Sequence, residues 1–144
     1  MKTLIAIATL LTVVLLMSAG CGSKTGVSTG VPVGKTIKTV PVGNLTATLS
    51  NGTGQLKHGD QEVMLSFTDS SGKAVDVGAV SLSFHMDQMG TMSAMTDDTT
   101  FTTTNAPGVY RGKVNIETAG EWQAQLAYEG PAGKGKTTFS VPTQ

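Results

Sequence analysis

From Asn44 to Val141, hydrophobic and polar residues alternate in short runs, each closed by a turn signal. Leu45, Ala47 and Leu49 alternate with Thr46 and Thr48, and Asn51-Gly52 with Gly54 ends the run. Val63, Leu65 and Phe67 alternate with Met64 and Ser66 before the turn Asp69-Ser70-Ser71-Gly72. Val80, Leu82, Phe84 and Met86 alternate with Ser81, Ser83 and His85. Phe101 sits in a Thr-rich run that stops at Asn105-Ala106-Pro107-Gly108. Val109 to Ile116, Trp122 to Tyr128 and Thr137 to Val141 complete seven runs, separated by Thr118-Ala119-Gly120 and by Gly130 to Gly135. A period of two marks strands with one buried and one wet face, and such faces are buried by packing sheet on sheet. The pattern predicts an all-β, immunoglobulin-like β-sandwich of about seven strands over residues 44–144, with Phe84 and Trp122 in its core.

A different pattern precedes it. Lys2 is followed by an apolar run from Leu4 to Met17, then Ser18-Ala19-Gly20 and Cys21. Charge, apolar core and small residues in that order read as a secretory signal peptide over 1–20. As a helix the apolar run reaches about 21 Å, short of the ~30 Å hydrocarbon core, so it is a poor permanent span. Small residues directly before a cysteine resemble a bacterial lipobox, with Ser18 where leucine is usual. Lipidation of Cys21 is therefore expected, anchoring the chain to the cell membrane or outer membrane on its extracytoplasmic side. The alternative is an ordinary cysteine just after a cleaved leader. Residues 21–43 then read as the lipidated cysteine and a flexible linker rich in Gly, Ser, Thr, Pro and Val. Lys35 to Val42 has the alternative of adding an edge strand.

Composition narrows the function. Cys21 is the only cysteine, so no intramolecular disulfide is available and stability must come from a core. Removing residues 1–20 takes away Lys2 and leaves nine Lys/Arg against ten Asp/Glu. With no basic stripe and no aromatic platform, nothing points to nucleic acid. Gly130-Pro131-Ala132-Gly133-Lys134-Gly135-Lys136-Thr137 matches a phosphate-loop pattern, but that chemistry needs a following helix. Thr137, Thr138, Phe139 and Val141 instead predict a strand behind a hairpin loop, and no nucleotide partner is expected. The only histidines are His58 and His85, no nucleophile–base pair stands out, and Asp97-Asp98 reads as a solvated loop pair. The chain is read as a non-enzyme.

The methionines carry the chemistry that remains. Met86, Met89, Met92 and Met95 follow His85 within ten residues, separated by Asp, Gln, Gly, Thr, Ser and Ala. Spacing of three smears side chains around an α-helix but lines one edge of a polyproline-like segment, so the stretch reads as an extended surface loop. Thioethers are soft donors that suit Cu(I), and imidazole adds a second ligand type. Met89, Met92 and Met95, with His85 and Met86, are the expected metal ligands. Two alternatives stand beside copper: methionine as an adaptable filler of an apolar edge, and a patch that docks a partner. His58 and Met64 are read as structural.

The order of several phrases resembles the YtkA-like domain family of exported and membrane-anchored bacterial proteins. These are Asp69-Ser70-Ser71-Gly72-Lys73-Ala74-Val75 with Gly78-Ala79-Val80, then Met86-Asp87-Gln88-Met89-Gly90, Pro107-Gly108-Val109-Tyr110 and Ala119-Gly120-Glu121-Trp122. The resemblance spans residues 44–141. It implies a β-sandwich associated with copper or heavy-metal handling, sometimes beside efflux components. Where the family's Met-Pro-x-Met phrase is expected, this chain has Met86-Asp87-Gln88-Met89 with His85 ahead of it. Together these readings describe a lipid-anchored extracytoplasmic protein that binds Cu(I) as an accessory to metal resistance or delivery. The runner-up is a metal-free module docking an efflux or metal-transport membrane protein through the methionine loop or a sheet edge.

Overall fold

The structure, a computed structural model, describes residues 34–144. The leader, Cys21 and the first part of the linker lie outside the described residues. Eight strands follow in chain order: β1 (Lys35–Val42), β2 (Leu45–Asn51), β3 (Gly59–Thr68), β4 (Ala79–Met86), β5 (Met95–Thr103), β6 (Val109–Ile116), β7 (Gly120–Gly130) and β8 (Gly133–Thr143). Among the described residues there is no helix. Every neighbouring pair is antiparallel, in the order β1-β2-β3-β6-β5-β4-β7-β8. The two outermost strands, β1 and β8, approach each other, so the sheet is nearly closed.

Closure hides one face of each strand. Val63, Leu65 and Phe67 of β3, Leu82, Phe84 and Met86 of β4, and Trp122, Ala124, Leu126 and Tyr128 of β7 are all buried. Phe84 and Trp122 have no solvent exposure, as their period-two positions require. The Trp122 indole N–H donates to the Thr118 carbonyl at 3.0 Å, which satisfies the one polar atom this side chain takes into the core. Phe67 meets Tyr110 and Tyr128 edge-on, with centroids 5.8 and 5.5 Å away.

The count of eight rather than seven comes from Lys35–Val42, which pairs along β2 as the edge strand that stretch allowed. Val40 and Val42 turn inward while Lys35 and Lys38 stay exposed, and the register slips between Thr36 and Lys38. A bulge and lysines are the usual protection of an exposed edge.

β5 also begins earlier than its sequence suggests. Met95–Thr103 is strand throughout, so Asp97 and Asp98 lie in a strand and not in a loop. The run lacks apolar alternation because it changes partner along its length. Its first half pairs with β4, its second with β6, and Thr100 bonds into both registers. Gly112 of β6 makes room for the switch: a β-carbon there would stand 2.7 Å from the Thr99 methyl and 2.8 Å from the Phe101 ring.

The phosphate-loop match forms the β7–β8 turn and the start of β8. Gly130 pairs with Gly133, Lys134 faces Glu129, and Thr137–Ser140 continue the ladder. Strand directions sort the rest into two rims. One holds the start of β1, the end of β2, the β6–β7 turn and the β4–β5 connection; the other holds the β1–β2, β3–β4, β5–β6 and β7–β8 connections.

Candidate metal centre

The methionine segment is a hairpin. Met86, the last residue of β4, pairs with Met95, the first of β5. Beyond them Met89 and Met92 form a second antiparallel bridge. The Met92 N–H donates to the Met89 carbonyl at 3.0 Å, closing a turn over Gly90-Thr91. Gly90 takes φ +58°, the left-handed conformation that a tight hairpin turn demands and that glycine adopts without strain. The polyproline-like edge expected from the spacing is thus replaced by two cross-strand methionine pairs.

All four methionines line one cavity of about 60 Å³, floored by the turn Thr118–Gly120. That volume suits an ion or a water or two, and falls far below the ~300 Å³ at which small-molecule pockets begin. The four side chains differ in exposure. Met86 is 5% exposed, Met95 is half-buried, Met92 is 46% exposed and Met89 64%. Gly120 provides the space at the floor, since a β-carbon there would stand 2.9 Å from the Met86 methyl. Sequence reasoning left this turn out of the site. No local motif reports it, because only the β6–β7 connection brings it beneath β4.

Thioether sulfur is neutral at every accessible pH and needs no deprotonation, so the cavity presents soft donors without a proton cost. Among the described residues no three of His, Cys, Asp and Glu cluster to hold a metal ion. Nearby charge is negative. Asp97, two residues beyond Met95, has its carboxyl pushed above the usual range by burial, and Asp98, Glu117 and Asp60 add to the rise. The Asn115 N–H, at 3.1 Å from Asp97 Oδ2, pulls the other way. Glu117 directly precedes the turn under the sulfurs.

His85 stands apart from the four sulfurs. It alternates with Phe84 and Met86, so its ring lies on the outer face of β4 and does not line the cavity. Both ring nitrogens are engaged, Nδ1 with Thr96 Oγ1 and Nε2 with Asp87 Oδ1, each at 3.1 Å. Asp87 itself edges the cavity, which leaves His85 one hydrogen bond removed from it. His58 is exposed in the β2–β3 connection, and Met64 is buried on β3. Cys21 lies outside the described residues.

Comparison with curated proteins and with solved structures gave no match. The family model described as YtkA-like matches residues 39–127, from within β1 into β7 and across the whole methionine hairpin; the chain belongs to the YtkA-like family.

Proposed function

We propose that this protein is a lipid-anchored, extracytoplasmic, non-catalytic binding protein that takes up Cu(I) through its methionine hairpin. Its role is that of an accessory to metal resistance or delivery, working beside a membrane protein. The observation that carries the reading is the convergence of Met86, Met89, Met92 and Met95 on one ion-sized cavity. Four neutral sulfurs with few competing donors favour a soft monovalent cation over Zn(II), and offer little to Mg(II) or Ca(II). The exposed side chains of Met89 and Met92 would meet an arriving ion first, with the less exposed Met95 and Met86 behind them. We read the all-antiparallel order β1-β2-β3-β6-β5-β4-β7-β8 as that of an immunoglobulin-like sandwich, in which β5 would bridge two layers. Attachment follows from the lipobox-like Ser18-Ala19-Gly20-Cys21, where two acyl chains suffice for stable anchoring.

Titration with Cu(I) against a competing chelator tests the metal reading. Met89, Met92 and Met95 changed together to Leu keep the volume and the apolar surface, so the fold should survive while binding is lost. Undiminished affinity would refute the sulfur site. The exposure of Met89 and Met92 favours a second reading, a metal-free docking tip, and retained partner docking in the triple Leu variant would support it. Cys21→Ser should release the protein from membranes; an unmodified Cys21 in the native protein, read by intact mass, would refute the anchor.

A further inference from the structure

We propose that Met89 and Met92 are an oxidation site, where conversion to methionine sulfoxide shuts the cavity to soft cations while leaving the fold intact. The proposal rests on the sulfur-site reading for its effect on metal, and on exposure alone for its chemistry.

Five methionines lie among the described residues, and burial divides them. Met64 and Met86 are 7% and 5% exposed, against 46% for Met92 and 64% for Met89. Thioether oxidation is a direct transfer that needs the oxidant to reach the sulfur lone pair. A hydroperoxide delivers one oxygen: the S–O bond forms as the O–O bond breaks, sulfur gives up two electrons, and water or an alcohol leaves. Where the sulfur is reachable the reaction proceeds without a catalyst, so susceptibility follows exposure.

The hairpin determines what the modification does. Met89 and Met92 pair through backbone atoms, the Met92 N–H to the Met89 carbonyl, and the turn depends on Gly90. Neither thioether is needed to hold that geometry, and neither belongs to the core cluster. A sulfoxide at either position therefore disturbs little of the fold. It does replace a soft sulfur donor by a polar, harder oxygen at the cavity mouth, and the same lone pair cannot both bind a soft cation and accept oxygen. Bound cation and oxidant compete for the same atoms.

The test treats the full-length protein carrying Cys21→Ser with hydrogen peroxide and follows oxygen uptake at each methionine by peptide mass mapping. Met89 and Met92 should oxidise well ahead of Met64 and Met86, with the circular dichroism spectrum unchanged when both carry oxygen. Ag(I), a soft cation without the ready one-electron cycling of Cu(I) and Cu(II), should slow oxidation of Met89 and Met92 when peroxide consumption is matched in a protein-free control. The doubly oxidised protein should lose Ag(I) binding and regain it after methionine sulfoxide reductase. Met64 and Met86 oxidising as fast as the exposed pair, or loss of the spectrum with the first oxygens, would overturn the proposal. So would oxidised protein that binds Ag(I) as tightly as untreated protein. Untreated protein that binds no Ag(I) would instead refute the sulfur-site reading, and with it the effect on metal, while the oxidation order and spectrum decide the site itself. A Met89→Leu, Met92→Leu variant should lack the fast phase altogether.

Discussion

The terminal methyl of Met86 rests against Gly120, so close that a β-carbon on the glycine would push it aside. Gly120 also sits at φ +145°, where L side chains are strained. Its side chain of one hydrogen thus serves the backbone of the β6–β7 turn and the floor of the sulfur cavity together.

Gly120→Ala should therefore act on both. The strained φ alone predicts a loss of about 1–3 kcal/mol, and the displaced Met86 methyl should lower soft-cation affinity as well. Urea unfolding reads the first and chelator competition the second. Unchanged stability would mean that the turn relaxes without cost.

Tyr110 ties β6 to the β3–β4 connection. Its hydroxyl accepts the N–H of fully buried Val77 at 3.0 Å and donates to Asp76 at 2.8 Å. Asp76 is held below the usual carboxylate range by the Gly78 N–H and this hydroxyl. Burial, reinforced by the bond to Asp76, pushes the phenol upward. Tyr110→Phe keeps the ring and strands the Val77 N–H, so a loss of about 1–3 kcal/mol is expected. A midpoint shift of less than a quarter of that would show that the N–H finds another acceptor.

Asp97 gives a pH dependence of definite sign. Its carboxyl is raised above 3.8 by burial first, then by Asp98, Glu117 and Asp60. Below 3.8 folded and unfolded chains both carry the proton and the residue costs nothing. As pH rises through the folded value the native state must ionise against its surroundings, so stability falls and stays lower at neutral pH. Asp97→Asn should raise stability at pH 7 by less than ~1 kcal/mol, because the site is largely solvated. The gain should shrink in salt and vanish in acid. A variant that is less stable at neutral pH would reverse the sign and refute the account.

Truncating Trp122 probes the core itself. With no exposure and its N–H bonded to Thr118, Trp122→Ala should cost about 3–5 kcal/mol. Thermal melting that stays within a degree or two of the parent would contradict its place in the core.

Strands β2, β3, β4, β6, β7 and β8 were legible because apolar and polar residue types alternate along them, even where β3 buries Val63–Phe67 without a break. β1 was ambiguous because only Val40 and Val42 are buried, at the end of a run of Lys and Thr. The start of β5 was hidden for a related reason. A strand that changes partners midway has no constant inner face, and Thr-Asp-Asp-Thr offers nothing apolar to count.

The methionine hairpin was half legible. Residue types and crowding pointed to sulfur chemistry, but spacing of three suggested one continuous edge. Two features outweigh it: Gly90 as a turn residue, and the symmetry of Met86, Met89, Met92 and Met95 about Gly90-Thr91, which is what cross-strand pairing requires. The alternation that buries Phe84 and Met86 also carries His85 to the opposite face. Short-range sequence contained that separation; proximity in the chain masked it.

The rim that carries the methionine hairpin is also the rim where β1 begins. Thirteen residues, 22–34, separate Cys21 from Lys35, which makes fourteen steps of at most ~3.6 Å, so position 21 stays within about 50 Å of that strand start. A fusion grafted at Pro131-Ala132, on the opposite rim, leaves the mouth of the cavity clear. Anchoring at Cys21, as proposed, would attach the domain through the same rim that carries its methionines.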